Sequence, residues 1–454
     1  MLNRLNAHRA LQIFQVLRLS ALLFISILLA KSRLDLHAIG SYEGLVWIGT
    51  TLTFFWLTAL LQSLVVLHSR KSTQEHTAAA DSPPSSREGI EQESGVLLFN
   101  TFVLLCAASL LLLLLLCVFP AYILQCFTGQ TTVPAFYYAF CFAFFMGVPA
   151  YLTEYIYLLH RRPKALLWWG IVSFTTQVLC FYGALQLSYG LWGVMLIWCC
   201  WSFLRLAWTL RLVFLYSVPR LSAAILYEQL HFTRPLAISM LAGQFILFFD
   251  NWLVQYWYQD ASVFALYRYG ARELPFTPAL TGALTASVIP VLHLQSQKGL
   301  LVLRREGARL MHLLFPLTIA CLMLSPTLFP LVFNRDFSES AALFNIYLLI
   351  AGSRLLLPGS ILLASGHTKF VLYSSLIELT VKIAAGFLFI QWWGLIGVAW
   401  SAFLCYWVEK LAQTAFLYHK CGITPVQWLS VRVYGFYTSA LLLVWFLVTF
   451  WSTH

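Results

Sequence analysis

The chain has 454 residues, of which 60% are hydrophobic and only 10% charged, and it carries a net charge of +11. So few polar side chains cannot cover so much apolar surface, which excludes a soluble globule and makes lipid the solvent. The basic excess requires no nucleic-acid partner, because membrane proteins gather Lys and Arg on their cytoplasmic face, beside anionic lipid headgroups.

A run crossing about 30 Å of hydrocarbon needs about 20 residues, and thirteen such runs are expected along the chain. They are too long and too unalternating for barrel strands, so the predicted fold is an all-α polytopic bundle. The first run, 11–30, places Arg18 about 11 Å into the helix. Its guanidinium either faces a cavity, where its fork suits a pyrophosphate or acidic sugar, or snorkels to the inner headgroups. Ala30 is followed by Lys31-Ser32-Arg33 rather than a small-residue cleavage site, so the run is expected to remain as a helix. The second run, 44–68, leads into Lys71–Ser94, a stretch rich in Ser, Pro, Ala, Thr and Glu and expected to be a disordered cytoplasmic loop.

Runs 95–119, 134–159, 165–186 and 190–215 complete the first half. The sixth carries Arg205 among Trp201 and Trp208, a substrate candidate for which snorkelling toward the Arg211 end is the favoured alternative. In 217–233, Ala223, Leu226, Tyr227 and Leu230 recur at helical spacing while Glu228, Gln229 and His231 fall off that face. The pattern predicts an interfacial helix linking two lobes.

The seventh run, 234–257, holds Asp250 about 24 Å from Arg234, and the eighth, 263–293, opens on Arg268 and Arg272 at the same level. A structural clasp among the three is expected, with protonation or Na⁺ binding at Asp250 as the functional alternative. After 310–333, the run 341–364 carries Arg354 about 20 Å from its outer end. Lying between Gly352-Ser353 and Pro358-Gly359, it is the leading candidate for gripping an anionic substrate. In 369–391, Glu378 and Lys382 are four apart and expected to pair, with titration of Glu378 during transport as the alternative. Run 395–418 closes the second half. A turn at 423–431 precedes an extra, peripheral helix, 433–452.

With the N-terminus inside, nineteen Lys and Arg fall on the cytoplasmic side against five outside, namely Lys31, Arg33, Arg268, Arg272 and Arg335. That asymmetry orients the bundle and places His454 outside. The ten cysteines lie almost entirely in apolar runs and form no CxxC pair, so they read as small core residues.

One phrase occurs twice, Gly190-Leu191-Trp192-Gly193-Val194 and Gly394-Leu395-Ile396-Gly397-Val398, each after a run that starts at a basic turn, Arg161-Arg162-Pro163-Lys164 or His367-Thr368-Lys369. Repeated lobes are how many transporters are built. The expected organisation is a six-helix lobe at 1–216, a linker at 217–233, a second six-helix lobe at 234–420 and the extra helix in 421–454.

Phe249-Asp250-Asn251-Trp252-Leu253-Val254, Ala261–Tyr267 and Glu273-Leu274-Pro275 resemble the seventh and eighth helices of Wzx-like polysaccharide flippases in the MOP exporter superfamily. Ile361–Lys369 and Trp393–Trp400 are similar to that family's tenth to twelfth helices. The resemblance spans roughly residues 10–418 and implies two six-helix lobes around a V-shaped cavity, with alternating access for a polyprenyl-pyrophosphate-linked oligosaccharide. It implies a multi-pass protein of the bacterial inner membrane serving cell-surface polysaccharide synthesis, with membrane lipids and polysaccharide-assembly proteins as partners. The thirteenth run departs from the family pattern.

Two other classes compete. A membrane glycosyltransferase or polymerase needs acidic residues on sizeable external loops, and only Asp35 and Glu43 offer such a pair; there is no P-loop, HExxH or metal-ligand cluster, so no enzyme, metal or cofactor is expected beyond a coupling Na⁺ or H⁺. A cation-coupled multidrug exporter would share the bundle but favour acidic over basic cavity residues, against Arg18 and Arg354.

Overall fold

The computed structural model describes residues 7–78, 84–187, 190–274, 276–294 and 296–452. Helix is the only extended regular structure among them, and the protein is an all-α polytopic membrane protein. The order is α1 (Ala7–Ala30), α2 (Leu36–Ala78), α3 (Pro84–Val118), α4 (Pro120–Thr128), α5 (Tyr137–Gly147), α6 (Leu152–Leu159), α7 (Pro163–Gln186), α8 (Gly190–Tyr216) and α9 (Ala223–Tyr258). It continues through α10 (Ala261–Gly270), α11 (Phe276–Leu294), α12 (Ser296–Val332), α13 (Ser340–Arg354), α14 (Pro358–Ala364), α15 (Thr368–Cys421), α16 (Pro425–Trp428) and α17 (Val431–Ser452).

Among the described residues eleven helices are long and apolar enough to cross a membrane, or twelve if α9, bent by 45° between Ala223–Leu241 and Gly243–Tyr258, counts as one span. The difference from thirteen lies in how the runs are joined. Runs 369–391 and 395–418 are two arms of the 54-residue α15, divided at Gly394, whose φ of 60° and ψ of −136° are non-helical. Run 263–293 is broken between α10 and α11 ahead of Pro275 in the sequence, and run 341–364 is broken between α13 and α14 ahead of Pro358. Proline pushes the preceding residue out of the helical region, and Leu357 before Pro358 is non-helical, so the second break follows from local chemistry.

The repeated phrase has a physical reading. Gly190 and Gly394 both take positive φ, 58° and 60°, which side chains with a Cβ rarely adopt. Just past the second turn, a Cβ on Gly397 would stand 2.0 Å from the Phe389 carbonyl oxygen, so this position also needs glycine.

Contacts divide the chain into 1–248 and 249–454. In the first unit α1 packs on α7 and α5 on α8, around Phe14, Leu97, Leu152 and Ile156. In the second, α12 packs on α11, α13 and α17 around Leu314, Phe315 and Leu322. The expected extra helix, α17, is mostly exposed, although Tyr434 Oη donates to the Gly352 carbonyl at 3.0 Å.

Two expectations are corrected. The segment Lys71–Ser94 is not wholly loop: α2 runs to Ala78 and α3 starts at Pro84, with 79–83 outside the described residues. Ala, Glu, Gln and Lys propagate a helix already nucleated by a long apolar span. The expected linker helix is the first part of α9, and one of its polar residues turns inward while an apolar-face residue turns out. Gln229 is fully buried, while Tyr227 is 70% exposed. Gln229 Nε2 donates to Thr101 Oγ1 at 2.9 Å, and Thr233 Oγ1 donates to Ser63 Oγ at 2.9 Å. In lipid the apolar side chains face outward and the polar ones turn to partners on neighbouring helices. The division between the two units falls inside α9, after Phe248. His454 lies outside the described residues.

Candidate functional site

Each unit holds its own cluster of buried charge. In the first, α1 contributes Arg18, α6 Glu154 and α8 Arg205. Arg18 Nη2 donates to Glu154 Oε1, and the Glu154 side chain is only 3% exposed. Tyr151 lies under both guanidiniums, 5.3 Å from Arg18 Cζ and 5.7 Å from Arg205 Cζ. Thr153 and Thr209 hydrogen-bond at 2.8 Å and fix α6 against α8 beside the cluster. Glu154 neutralises one of two arginines, so the group carries a net positive charge. Arg18 Nε and Arg205 Nε are both buried with no acceptor. Such donors are costly to leave unmade, and an anion would satisfy them.

The second unit is balanced more closely. Lys382 Nζ on α15 donates to Asp250 Oδ2 on α9 at 2.5 Å, and Tyr347 Oη on α13 donates to the same oxygen at 3.2 Å. Tyr347 in turn shares a 2.7 Å hydrogen bond with Tyr267 on α10. Arg354, the last residue of α13, grips Glu273 in the break before α11 through Nε at 3.0 Å and Nη2 at 2.9 Å, and stacks 4.2 Å over Tyr406. The space beside this pair, lined by Glu273, Thr277 and Tyr347, admits no water-sized body.

Three pairings therefore differ from expectation. Asp250 is held by Lys382, not clasped by Arg268 and Arg272. Arg268 Nη1 instead reaches Asn251 Oδ1 at 3.5 Å, and Arg272 Nε donates to the Arg268 carbonyl at 3.1 Å while stacking on Tyr269. Lys382 does not pair with Glu378, because its ammonium points to α9. Glu378 is buried on α15 with no direct ion pair among the described residues, and the charges acting on it come from Glu409, Lys410, Arg354 and Lys382. Glu409 binds Lys410 at 2.7 Å and accepts from Gln413 Nε2 at 2.8 Å.

No protein-family model and no curated protein matches the sequence. Solved structures do. The lipid II flippase MurJ in an inward closed conformation superposes with a TM-score of 0.67 at 14% identity, covering 96% of this chain and 92% of that one. An inward-facing multidrug resistance MATE family transporter of the MOP superfamily gives 0.59 at 12%, covering 87% and 97%. The Vibrio cholerae MATE transporter VcmN in its bent form gives 0.52 at 15%, covering 90% and 97%. The chain has the MOP-superfamily fold.

Within this MOP fold, sequence reasoning missed two of the carboxylates that matter most. Glu154 is a lone acid in the apolar run 134–159 and is buried, and Glu273 lies half-buried in the break before α11; each stands opposite an arginine. A single acidic residue inside a membrane run was the available signal, since such a charge calls for a partner. In the same fold Arg354, expected to be open, is the better neutralised arginine, and Arg205 the less satisfied one.

Proposed function

We propose that the protein is a membrane transporter that flips a polyprenyl-pyrophosphate-linked oligosaccharide from the inner to the outer leaflet of a bacterial cytoplasmic membrane, for cell-surface polysaccharide synthesis. The N-terminus lies in the cytoplasm, and polysaccharide-assembly proteins act on the product. The observation that carries this reading is the surplus guanidinium in the first unit. Arg18 and Arg205 share one carboxylate, and two buried N–H donors lack acceptors. Two guanidiniums over Tyr151 offer a pyrophosphate charge and several donors in forked geometry. Arg354 plays a supporting role, holding the break that contains Glu273.

The test is reconstitution in vesicles with a labelled lipid-linked oligosaccharide and a leaflet-accessibility readout. Protein-dependent flipping that falls in Arg205→Ala supports the reading. A second reading, a cation-coupled multidrug exporter, is favoured by one observation, the buried and unpaired Glu378. Accumulation of a lipophilic cation by the same vesicles, with no flipping of the lipid, would establish that reading instead.

A further inference from the structure

The first unit contains a second polar feature that the transport reading leaves unused. A cavity of about 480 Å³ lies between α2 and α3, beside the ends of α6 and α8. Its polar lining is His68 from α2, Ser94 from α3, His160 just past α6 and Tyr216 with Ser217 at the end of α8. The size falls within the range of small-ligand pockets.

The surroundings of this cavity are basic. Arg162 stacks over Tyr216 with its Cζ 5.2 Å from the ring, so a guanidinium backs one wall. Arg70 follows His68 by two residues and packs 5.0 Å over Phe232, and Arg161 turns the chain between α6 and α7. The His160 ring is held 4.4 Å from Tyr216, and its Nδ1 donates to the Ile156 carbonyl at 2.9 Å. With Nδ1 committed to the backbone, Nε2 is the nitrogen left for a ligand. Among the described lining residues none is a carboxylate.

The rim has the opposite character. Leu215, which lines the cavity, is 65% exposed, and its neighbour Phe214 is 71% exposed, so the polar hollow adjoins an apolar, lipid-facing surface. A polar hollow with two histidines in its lining and a guanidinium behind one wall, joined to an apolar wall, suits an amphiphile with a phosphate head and hydrocarbon tails. Basic pockets between helices on a cytoplasmic face take anionic lipid headgroups on these grounds.

We propose that this cavity binds the phosphate headgroup of an anionic phospholipid of the inner leaflet, with His160 and His68 meeting the phosphate and the acyl chains running along Phe214 and Leu215. This site is separate from the Arg18–Glu154–Arg205 cluster, and its test does not depend on the transported substrate. The approach of α3 to the wall is close: a Cβ on Gly95 would stand 3.0 Å from Val218 Cγ2, so the hollow has little room to change shape on that side.

The experiment uses full-length protein in nanodiscs of phosphatidylcholine alone or with phosphatidylglycerol, read by thermal unfolding and by native mass spectrometry of retained lipid. Phosphatidylglycerol is expected to raise the melting temperature and to survive as a bound adduct. In His68→Gln/His160→Gln the adduct weakens by roughly tenfold or more, as expected for losing a charge-assisted hydrogen bond. The melting temperature of that variant in phosphatidylcholine is the baseline for its own fold, and the further rise with phosphatidylglycerol should be lost, which separates loss of a ligand from loss of fold. Should the double variant unfold early, Leu98→Trp, which narrows the cavity without touching a histidine, must reduce the adduct in the same way. Equal retention of the two lipids by the wild type would overturn the proposal. So would undiminished phosphatidylglycerol binding by both variants, or protection by inorganic phosphate with none from the lipid.

Discussion

Lys382 Nζ stands 2.5 Å from Asp250 Oδ2 and joins α15 to α9 across 132 positions of sequence. Both side chains are almost fully buried, at 2% and 9% exposure, and Tyr347 supplies a further donor to the carboxylate. Removing one partner of such a pair strands the other charge in an apolar medium. Asp250→Asn and Lys382→Met should each destabilise by about 3–5 kcal/mol, whereas the double variant should recover much of the loss. Thermal unfolding of the purified single and double variants checks this. Additive losses in the double variant would show that the pair is not coupled.

Arg354 and Glu273 make the second such test. Arg354→Ala removes two hydrogen bonds and the contact with Tyr406, and should lower the melting temperature as well as transport. Arg354→Lys should recover part of the stability, since an ammonium keeps the charge but loses the fork. A fully stable Arg354→Ala protein that no longer transports would make the residue a substrate contact rather than a strut.

Arg205 should behave in the opposite way. It has no hydrogen-bonded partner to strand, so Arg205→Ala should change the melting temperature little while weakening flipping by roughly tenfold or more, if a charge-assisted bond to phosphate is lost. Arg18→Ala should lose both stability and transport, because it leaves buried Glu154 unpaired. Dose-response flipping assays on matched amounts of folded protein separate the two variants.

The twin glycines predict a graded pair. Gly394→Ala meets both an unfavourable backbone conformation and the Tyr258 hydroxyl at 2.9 Å, and should cost about 1–3 kcal/mol. Gly190→Ala faces open space, so only its φ of 58° opposes the substitution and the loss should be smaller. Unfolding curves of the two variants give the order directly.

Topology is testable without any substrate. The basic asymmetry predicts that a cysteine placed at Ser85 is labelled from the cytoplasmic side and one at Ser32 from the outside, in a background with native cysteines replaced. The reverse pattern would invert the proposed direction of transport.

Much of the architecture was legible because it rests on local chemistry. Hydrophobic length placed the apolar runs, whereas the break ahead of Pro358 and the positive φ of Gly190 and Gly394 emerged only in the fold. In α9 the same local logic failed: helical spacing correctly grouped Tyr227 with Leu230, but which face turned inward depended on Thr101 and Ser63 waiting on α3 and α2.

The sequence by itself determined that this is a helical membrane bundle, since apolar length and backbone satisfaction in lipid leave no other structure for such runs. Only the tertiary structure decided how the charges pair. Glu378 and Lys382 share a helical neighbourhood, yet Lys382 goes to Asp250, and Arg354 goes to Glu273 rather than standing open. A buried charge takes whichever opposite charge packing brings within hydrogen-bond reach, and that proximity is a property of the folded bundle rather than of spacing along one helix.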